Sequence, residues 1–373
     1  MDQEVNHEQT EKIEKKVEVQ AEVKSEKKSS EKELELIDIL KLFSPGTALR
    51  SSLDEILKAN LGALIIFDKD NLFDIVSGGF KVNCKFSSQR LFELSKMDGA
   101  IILSEDLKKI LFANSLLVPD MTLLTKETGT RHKAAERTAK QFKTVAIAIS
   151  ERKSQITIYY KSERYILEET SEILRRAAET LQTLEKQREI YDELLSNLNV
   201  LEINGLVTIN DVSGVLQRLE MNKRISSIAK RYLVELGKEG VIVSMRLKEL
   251  TRGINRDREL ILQDYFGSKY LRASSTLDNA NFDFLLEISN ISRILFNELH
   301  DKPISPRGIR LLSKTNILEK NIKLLLTGFK RLDNLIDATD EELTNVLNKS
   351  DLVKYFKEEL QILKEKIMSG KKI

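Results

Sequence analysis

Apolar residues recur at helical spacing at the start of the first ordered segment, near residue 35. Leu36 begins a pattern that runs to Phe43 and stops at the Ser-Pro-Gly turn of residues 44–46. A second helix, capped by Ser51 or Ser52, is predicted to continue to about residue 60. The chain therefore enters its first domain through two short helices.

A different pattern, of short apolar runs, follows over residues 62–160. The run 62–67 is too short and too β-branched for a helix and predicts a buried strand. Similar runs predict strands at 73–76, 100–103, 109–113, 144–149 and 155–160, with helices at 88–97 and 132–142. Strands and helices mixed in this way predict an α/β domain over residues 35–161 with a central mixed sheet.

The pattern changes again after residue 161. Residues 162–300 are rich in Glu, Lys, Arg and Leu and predict an all-α spine, and residues 301–373 predict a third unit of short helices. Residues 1–34 carry 17 charges and no aromatic residue, Gly or Pro, which predicts a disordered tail. A charged helix that forms on a partner is the alternative for this tail. The predicted chain is multidomain, with three domains after the tail.

One part of the spine carries a heptad seam. Its positions 174, 177, 181, 184, 188, 191, 195 and 198 hold Leu, Ala, Leu, Leu, Arg, Tyr, Leu and Leu, so a single polar residue, Arg188, interrupts it. The seam predicts either an oligomer interface or a helix packed within its own chain.

Composition excludes several classes of protein. Of the 373 residues, 41% are apolar and 32% are charged, a composition typical of a soluble chain that can bury hydrophobic cores. The single Cys84 excludes a disulfide framework and a Cys-rich zinc module, and the three His residues are too far apart for a His-based metal site. There is neither an apolar run long enough to span a bilayer nor a signal peptide, so a cytoplasmic protein without a membrane partner is expected.

The net charge of +2 conceals a local excess. Between residues 301 and 331 there are eight Lys or Arg and two acids, an excess of +6. Such a stretch favours nonspecific attraction to nucleic acid, and the alternative is a helical cap that binds nothing.

Two short motifs carry the candidate chemistry. Asp98-Gly99 lies where a predicted helix gives way to a strand, so a carboxylate that can bind a metal stands beside a residue that permits close backbone approach. An ordinary turn is the alternative.

The second motif is a Gly-Thr loop that opens a helix at Thr130, a plausible N-cap, with Arg131, His132 and Lys133 in the first turn. Cations in the first turn interact unfavourably with the helix dipole, and an anion such as phosphate bound there would offset this cost. The alternative is a run of charged side chains exposed to solvent.

These motifs resemble the diadenylate cyclase domain, and the resemblance extends to the spine and C-terminal region of the DNA-integrity scanning proteins. The matching segments follow the family order over about residues 36–347. They are Ser44–Arg50, Gly78–Phe80, Met97-Asp-Gly-Ala100, 113–120, Glu127-Thr-Gly-Thr-Arg-His-Lys133, 181–185, 207–212, 217–221, 235–237, Ser305-Pro-Arg-Gly-Ile-Arg-Leu-Leu312, 326–329 and 338–343.

The resemblance implies the condensation of two ATP molecules into cyclic di-AMP, with Mg²⁺ or Mn²⁺ and two catalytic domains face to face. It assigns metal binding and activation of the ribose 3′-hydroxyl to Asp98, and catalysis also to Arg131 and His132. Glu151 would complete the metal side. The residues implied to bind the nucleotide are Gly99, Ala100, Leu117, Thr130, Arg131, His132, Lys133, Ala134 and Ser150.

The resemblance further implies a homo-octamer, binding of branched or damaged DNA through a C-terminal helix-hairpin-helix-like domain, and a bacterial, nucleoid-associated location. This chain departs from the family pattern twice. Lys133 stands where the family has Arg, which loses a bidentate phosphate contact. Residues 346–352 contain no glycine where the family has a Gly-hydrophobic-Gly hairpin. The competing function is a DNA-binding structural protein whose ATP site senses nucleotide without turnover.

Overall fold

A computed structural model describes residues 38–298 and 301–371, and these divide into two compact units. One unit comprises the described residues up to Arg176 together with Arg231–Val241, and the other comprises Ala177–Lys230 and the described residues from Ile242 onward. The predicted disordered tail lies outside the described residues. Within the part that the structure describes, no helix is long and apolar enough to cross a membrane.

The first unit is built on a mixed sheet. Its strands are β1 Ala63–Phe67, β2 Val76–Ser77, β3 Phe80–Lys85, β4 Ala100–Leu103, β5 Lys109–Leu117, β6 Val145–Ser150, β7 Gln155–Tyr160 and β8 Glu163–Leu167. Its helices include α1 Ala48–Lys58, α2 Ser88–Ser95 and α3 Thr130–Phe142, with 3₁₀ turns at Lys41–Phe43 and Leu72–Ile75. The mixed-sheet prediction is confirmed.

The strand order is β2-β5-β4-β1-β6-β7-β8, and β3 also pairs with β5. Only the β1–β4 pair is parallel among the described strands; the other pairs are antiparallel. All five residues of β1 are buried, because apolar side chains cover both faces of the sheet centre. Ala135 and Ala139 of α3 pack on one face, and Leu53 and Ile56 of α1 belong to the core on the other.

Several local predictions were wrong. The second helix is capped by Thr47, whose hydroxyl accepts from the Arg50 N–H, and not by Ser51 or Ser52. The predicted strand at 73–76 is mostly a 3₁₀ turn, entered through Asn71 in the left-handed conformation. The pattern also missed β3 and β8, whose side chains are largely exposed or half-buried and therefore lack an apolar run.

The second unit is helical, and two long helices supply most of its first part. The helices from there to residue 298 are α4 Thr170–Ile203, α5 Ile209–Leu236, α6 Val241–Leu250, α7 Ile254–Phe266, α8 Tyr270–Asn279, α9 Phe282–Leu286 and α10 Ile288–Phe296. The N-terminal part of α4, up to Arg176, belongs to the first unit. So do the C-terminal part of α5, from Arg231, and the first residue of α6. A mixed-sheet domain followed by a helical region is thus what the sequence predicted.

The seam on α4 packs within its own chain. Ala177, Leu184, Tyr191 and Leu198 are all buried in the single chain. Arg188, the polar break, forms an ion pair with Asp192 at 3.0 Å, and its guanidinium lies 5.4 Å from the Tyr191 ring centre. The intrachain alternative is therefore confirmed for these positions.

The C-terminal helices are α11 Ile309–Leu312, α12 Glu319–Phe329, α13 Leu332–Ile336, α14 Asp340–Leu347 and α15 Ser350–Met368. Only Asn348 and Lys349 separate α14 from α15, and Asn348 has φ +57°. Asn tolerates the left-handed conformation better than most residues. Asn348 therefore closes the tight turn between the two helices without a glycine.

The same compact unit contains both the predicted spine and the predicted C-terminal domain. Arg310 of α11 is buried, and its guanidinium donates to Asn199 and Glu202 of α4 at 2.6 Å each. The separation into residues 162–300 and 301–373 stays a prediction.

Candidate functional site

Four strand ends meet at one edge of the sheet. Because β1 and β4 are parallel, Ala63 and Ala100 begin their strands on the same side. β5 and β6 run antiparallel to them, so Leu117 and Ser150 end their strands there. The start of α3 is brought to this edge because α3 packs on β1, β6 and β7. Motifs far apart in the chain are thereby placed next to each other.

Gly99 is required at this edge for two reasons. Its φ of +88° is disfavoured for L side chains, and an added Cβ would lie 2.8 Å from the Asn114 carbonyl carbon and 2.9 Å from the Ser115 oxygen. Ala100 follows, fully buried and paired with Ser115. Asp98 directly precedes Gly99, and its side chain is 98% exposed. The carboxylate therefore projects into solvent beside the tightly packed start of β4.

The start of α3 is open to an anion. The N-cap is Gly129, with an extended backbone, and Thr130 is the first helical residue, so the predicted Thr130 cap is wrong. The Gly129 carbonyl accepts the Lys133 N–H at 2.9 Å. The helix therefore begins one residue earlier than it would if Thr130 were the N-cap. No side chain caps this end, and the first turn contains no acid. Its N–H groups therefore stay available to a ligand.

A cavity of about 320 Å³ lies between the strand ends and α3. Seven of the predicted site residues line it, and these are Gly99, Ala100, Leu117, Thr130, Arg131, Lys133 and Ala134. Six further residues complete the wall, and these are Leu64, Ser115, Leu116, Pro119, Met121 and Arg137. The hydroxyl of Ser115 is buried there without a hydrogen-bond partner among the described residues.

Arg137 is the main residue that sequence reasoning missed. Helical spacing was the available signal, because Thr130, Lys133, Ala134 and Arg137 lie at i, i+3, i+4 and i+7 on one face of α3. The Arg137 guanidinium donates to the Leu123 carbonyl at 3.0 Å. It therefore holds the loop before α3 against the helix while it also borders the cavity.

The loop 118–129 is attached to α3 at other points too. Lys140 donates to the Leu124 carbonyl at 2.8 Å, and the Asp120 N–H donates to the Gln141 side chain at 3.0 Å. Thr125 donates a short hydrogen bond to Glu136. These bonds place Pro119 and Met121 in the cavity wall.

Arg131 lies between the two motifs. Its guanidinium lies over Gly62, where an added Cβ would lie 2.3 Å from Nη1, and its Nη2 is 3.6 Å from the Asp98 carboxylate. The side chain is 40% exposed, so this ion pair is weak and leaves the guanidinium accessible. Arg131 thus joins the Asp98 loop to the α3 start across the edge of the sheet.

His132, in contrast, does not line the cavity. Its Nδ1 lies 2.9 Å from the hydroxyl of the buried Tyr159, and the two rings meet edge to face. Burial lowers the pKa of His132, and the nearby cations Arg131 and Arg164 act in the same direction against Glu127. Arg164 also binds Glu127 at 2.8 Å. The neutral imidazole therefore anchors the first turn of α3 to the sheet.

Two predicted residues lie beside the cavity without lining it. Ser150 ends β6, and its hydroxyl accepts the Lys153 N–H at 3.3 Å. Glu151 is exposed in the following turn. Their roles stay predictions.

Two regions of the chain match models of known protein families. The DisA bacterial checkpoint controller nucleotide-binding model matches residues 50–164, and the DisA bacterial checkpoint controller linker-region model matches residues 167–300. The DNA integrity scanning protein DisA of Acetivibrio thermocellus is 45% identical over 321 residues, which cover 84% of this chain and 89% of that protein.

The chain belongs to the DisA family. The protein of the same name from Clostridioides difficile is 44% identical to it over 82% of this chain and 88% of its own. Among solved structures, DacA from Staphylococcus aureus aligns with 36% of this chain and 88% of its own at 23% identity, with a TM-score of 0.27. The first DisA region, residues 50–164, contains the whole cavity described above.

Proposed function

We propose that this DisA-family chain is a diadenylate cyclase that condenses two ATP molecules into cyclic di-AMP and two pyrophosphates. The main support is the cavity, which brings the backbone cleft at Gly99 together with Arg131, Lys133 and Arg137. Phosphoryl transfer needs in-line placement and neutralisation of phosphate charge more than covalent help. The residues around this cavity can supply both.

The triphosphate would lie against the start of α3. The uncapped N–H groups of the first turn and the side chains of Arg131 and Lys133 offer hydrogen bonds and positive charge to its oxygens. The adenine would lie at the apolar wall near Leu117 and Pro119. The nucleotide can approach the backbone closely because Gly99 carries no side chain.

Mg²⁺ or Mn²⁺ would be held by Asp98 together with phosphate oxygens. Residues 38–298 and 301–371 contain no group of three or more His, Cys, Asp or Glu side chains that could hold a metal by themselves. One exposed carboxylate nevertheless fits this ion, since Mg²⁺ commonly binds through one or two carboxylates and substrate phosphates. When bound, it would neutralise phosphate charge.

The reaction needs two such sites. The 3′-oxygen of one ATP forms a bond to the α-phosphorus of the other, and the bond from that phosphorus to the β-phosphate oxygen breaks. Pyrophosphate leaves with the electron pair, and the hydroxyl proton passes to water with the assistance of Asp98. A second, identical step closes the ring. Because each cavity would hold one ATP, two domains would have to meet face to face.

Apolar side chains around the cavity support such pairing. Leu116, Met121 and Leu124 are 64%, 69% and 88% exposed, which is unusual for large apolar residues. They lie on the loop and strand end beside the cavity. A second cyclase domain would cover them, and several such pairs would form the octamer that the family resemblance implies.

DNA binding is proposed for the C-terminal helices. The two-residue turn between α14 and α15 would serve as the hairpin of a helix-hairpin-helix, and Lys349 stands in this turn. The local charge excess is smaller than the sequence count, because Arg310 is buried beside Glu202 and cannot reach a DNA phosphate. Lys349→Glu should weaken binding of a branched DNA duplex, whereas Lys357→Glu, on the body of α15, should weaken it less. Equal effects would argue against a role for the turn.

One assay tests the cyclase proposal. The purified full chain is incubated with ATP and Mg²⁺ or Mn²⁺, and products are separated by ion-exchange chromatography. Wild type should form cyclic di-AMP, and Asp98→Asn should form none with an unchanged circular dichroism spectrum, since this side chain is exposed. The matched control Asp70→Asn removes another exposed carboxylate of the same unit and should stay active. ATP binding by wild type without product would favour the nucleotide-sensing alternative.

A further inference from the structure

The helical unit contains a second, larger cavity, of about 500 Å³. Its wall comes from α4, the turn that precedes α7, the α11 region and the chain just after α15. All of these segments belong to one compact unit. The volume lies in the range that is typical of small-molecule sites. Six basic side chains line it, and these are Arg188, Arg252, Arg256, Arg310, Lys314 and Lys371.

Two of these cations already have partners. Arg188 forms an ion pair with Asp192 and also donates to the carbonyls of Leu250 and Arg252. Arg310 forms an ion pair with Glu202 at 2.6 Å. The positive charge of these two residues is therefore largely compensated by the protein.

Four cations remain. The side chains of Arg252, Arg256, Lys314 and Lys371 form no ion pair or hydrogen bond with any residue that the structure describes. Two carboxylates of the wall, Glu193 and Asp257, offset part of this positive charge. Asp257 also accepts a hydrogen bond from the Tyr191 hydroxyl at 2.9 Å. The cavity thus keeps an excess of two positive charges.

The cavity also has a floor that is held in place by hydrogen bonds. Arg310 is only 1% exposed, and its guanidinium is held by Asn199 and Glu202. Its Nε is buried without a hydrogen-bond partner among the described residues. Burying such a donor unpaired costs free energy, and sites of this kind often reflect a ligand or water.

A helix end adds to this field. Gly253, with φ +83°, is the N-cap of the 13-residue helix α7, and it lines the cavity. No side chain caps this end. The Ile254 N–H already donates to the Thr251 carbonyl, and Asp257 stands in the first turn. This end therefore contributes mainly the helix dipole, which favours a negative charge beside Arg252 and Arg256.

We propose that this cavity binds a small phosphate-bearing anion, either free pyrophosphate or the phosphate chain of a nucleotide. Several cations around one concavity match a ligand with several negative oxygens better than a single carboxylate. A concave pocket with a buried floor suits a small ligand, whereas a duplex backbone is bound by a row of cations on an open surface. The site is separate from the cyclase cavity, which belongs to the other unit.

The test is calorimetric titration of the full chain with pyrophosphate and, in parallel, with ADP. The background variant Arg131→Ala/Lys133→Ala/Arg137→Ala removes the three cations that line the cyclase cavity, so that remaining binding reports on the helical unit. In this background, Arg252→Ala/Arg256→Ala should weaken binding roughly tenfold or more, as expected for the loss of two charge-assisted contacts. The control Lys320→Ala/Lys323→Ala removes two cations of α12 outside the cavity and should leave the affinity unchanged.

Tighter binding of ADP than of pyrophosphate would assign the cavity to a nucleotide, and equal binding would assign it to free polyphosphate. The proposal is overturned if neither compound binds the background variant, or if the control pair weakens binding as much as the cavity pair. It is also overturned if Arg252→Ala/Arg256→Ala reduces only duplex DNA binding, which would make these residues part of a nucleic-acid surface.

Discussion

Gly99→Ala tests whether the backbone at the edge of the sheet is as constrained as the structure indicates. The new Cβ would lie 2.8–3.0 Å from backbone atoms of Asn114 and Ser115, which belong to the adjacent strand and cannot move away independently. The left-handed backbone, φ +88°, costs about 1–2 kcal/mol for an L residue. Forced overlap in a packed region costs about 1–3 kcal/mol more. The expected loss of unfolding free energy is therefore about 2–5 kcal/mol.

Gly78→Ala is the matched control for this change. Gly78 has φ +65°, but an added Cβ would meet no atom within 4 Å. It therefore carries the conformational cost alone, about 1–2 kcal/mol. The difference between the two variants, about 1–3 kcal/mol, isolates the overlap with β5.

Urea denaturation followed by circular dichroism measures the stabilities, and amide hydrogen exchange of β4 and β5 peptides locates the effect. Gly99→Ala should also reduce cyclic di-AMP formation, because a displacement of about 1 Å at a reacting centre costs on the order of a hundredfold in rate. Gly78→Ala should leave that rate nearly unchanged. If the two variants were equally stable and equally active, the close packing of Gly99 against β5 would have no energetic role.

Three further predictions concern single residues. Lys133→Arg should raise kcat or lower KM for ATP, since the planar fork can bind two phosphate oxygens; unchanged values would show that no bidentate contact is missing. Arg310→Ala should destabilise the helical unit by about 3–5 kcal/mol in urea titrations, because Glu202 would be left buried and unpaired, and a loss under about 1 kcal/mol would contradict that reasoning. Burial, with repulsion from Glu202, raises the pKa of Asp264 to about 7, from 3.8. The unfolding free energy should therefore fall as pH rises from about 4 to about 7, by at most about 1.4 kcal/mol per unit, and Asp264→Asn should remove that slope; equal slopes would refute the assignment.

Much of the architecture was predictable from local pattern. The apolar runs at 62–67 and 100–103 predicted β1 and β4, because strands buried on both faces are apolar at successive positions. The segments 97–100 and 127–133 were likewise recognised from short motifs, and the structure brings them to one cavity. Edge strands such as β3 were missed, because exposed positions give no apolar signal.

The directions of individual side chains were not predictable in the same way. His132 and Lys133 are neighbours in one cationic run, yet His132 faces Tyr159 and Lys133 faces the cavity. Adjacent positions on a helix point about 100° apart, so only the packing of α3 on the sheet determines which one meets a ligand. Arg310, one of eight cations in a basic stretch, is buried beside Glu202 for a similar reason.

The amino-acid sequence by itself determined the family, the mixed sheet with its helical sequel and the two motifs, because these depend on residue type and local spacing. The tertiary structure decided which residues share a cavity, because that depends on strand order and on partners distant in the chain. Only folding brought Arg137 to the cavity beside Gly99 and placed Arg252, Arg256 and Lys314 around a second cavity. Partners such as Arg310 and Glu202 are 108 residues apart, so no local window of the sequence contains both of them.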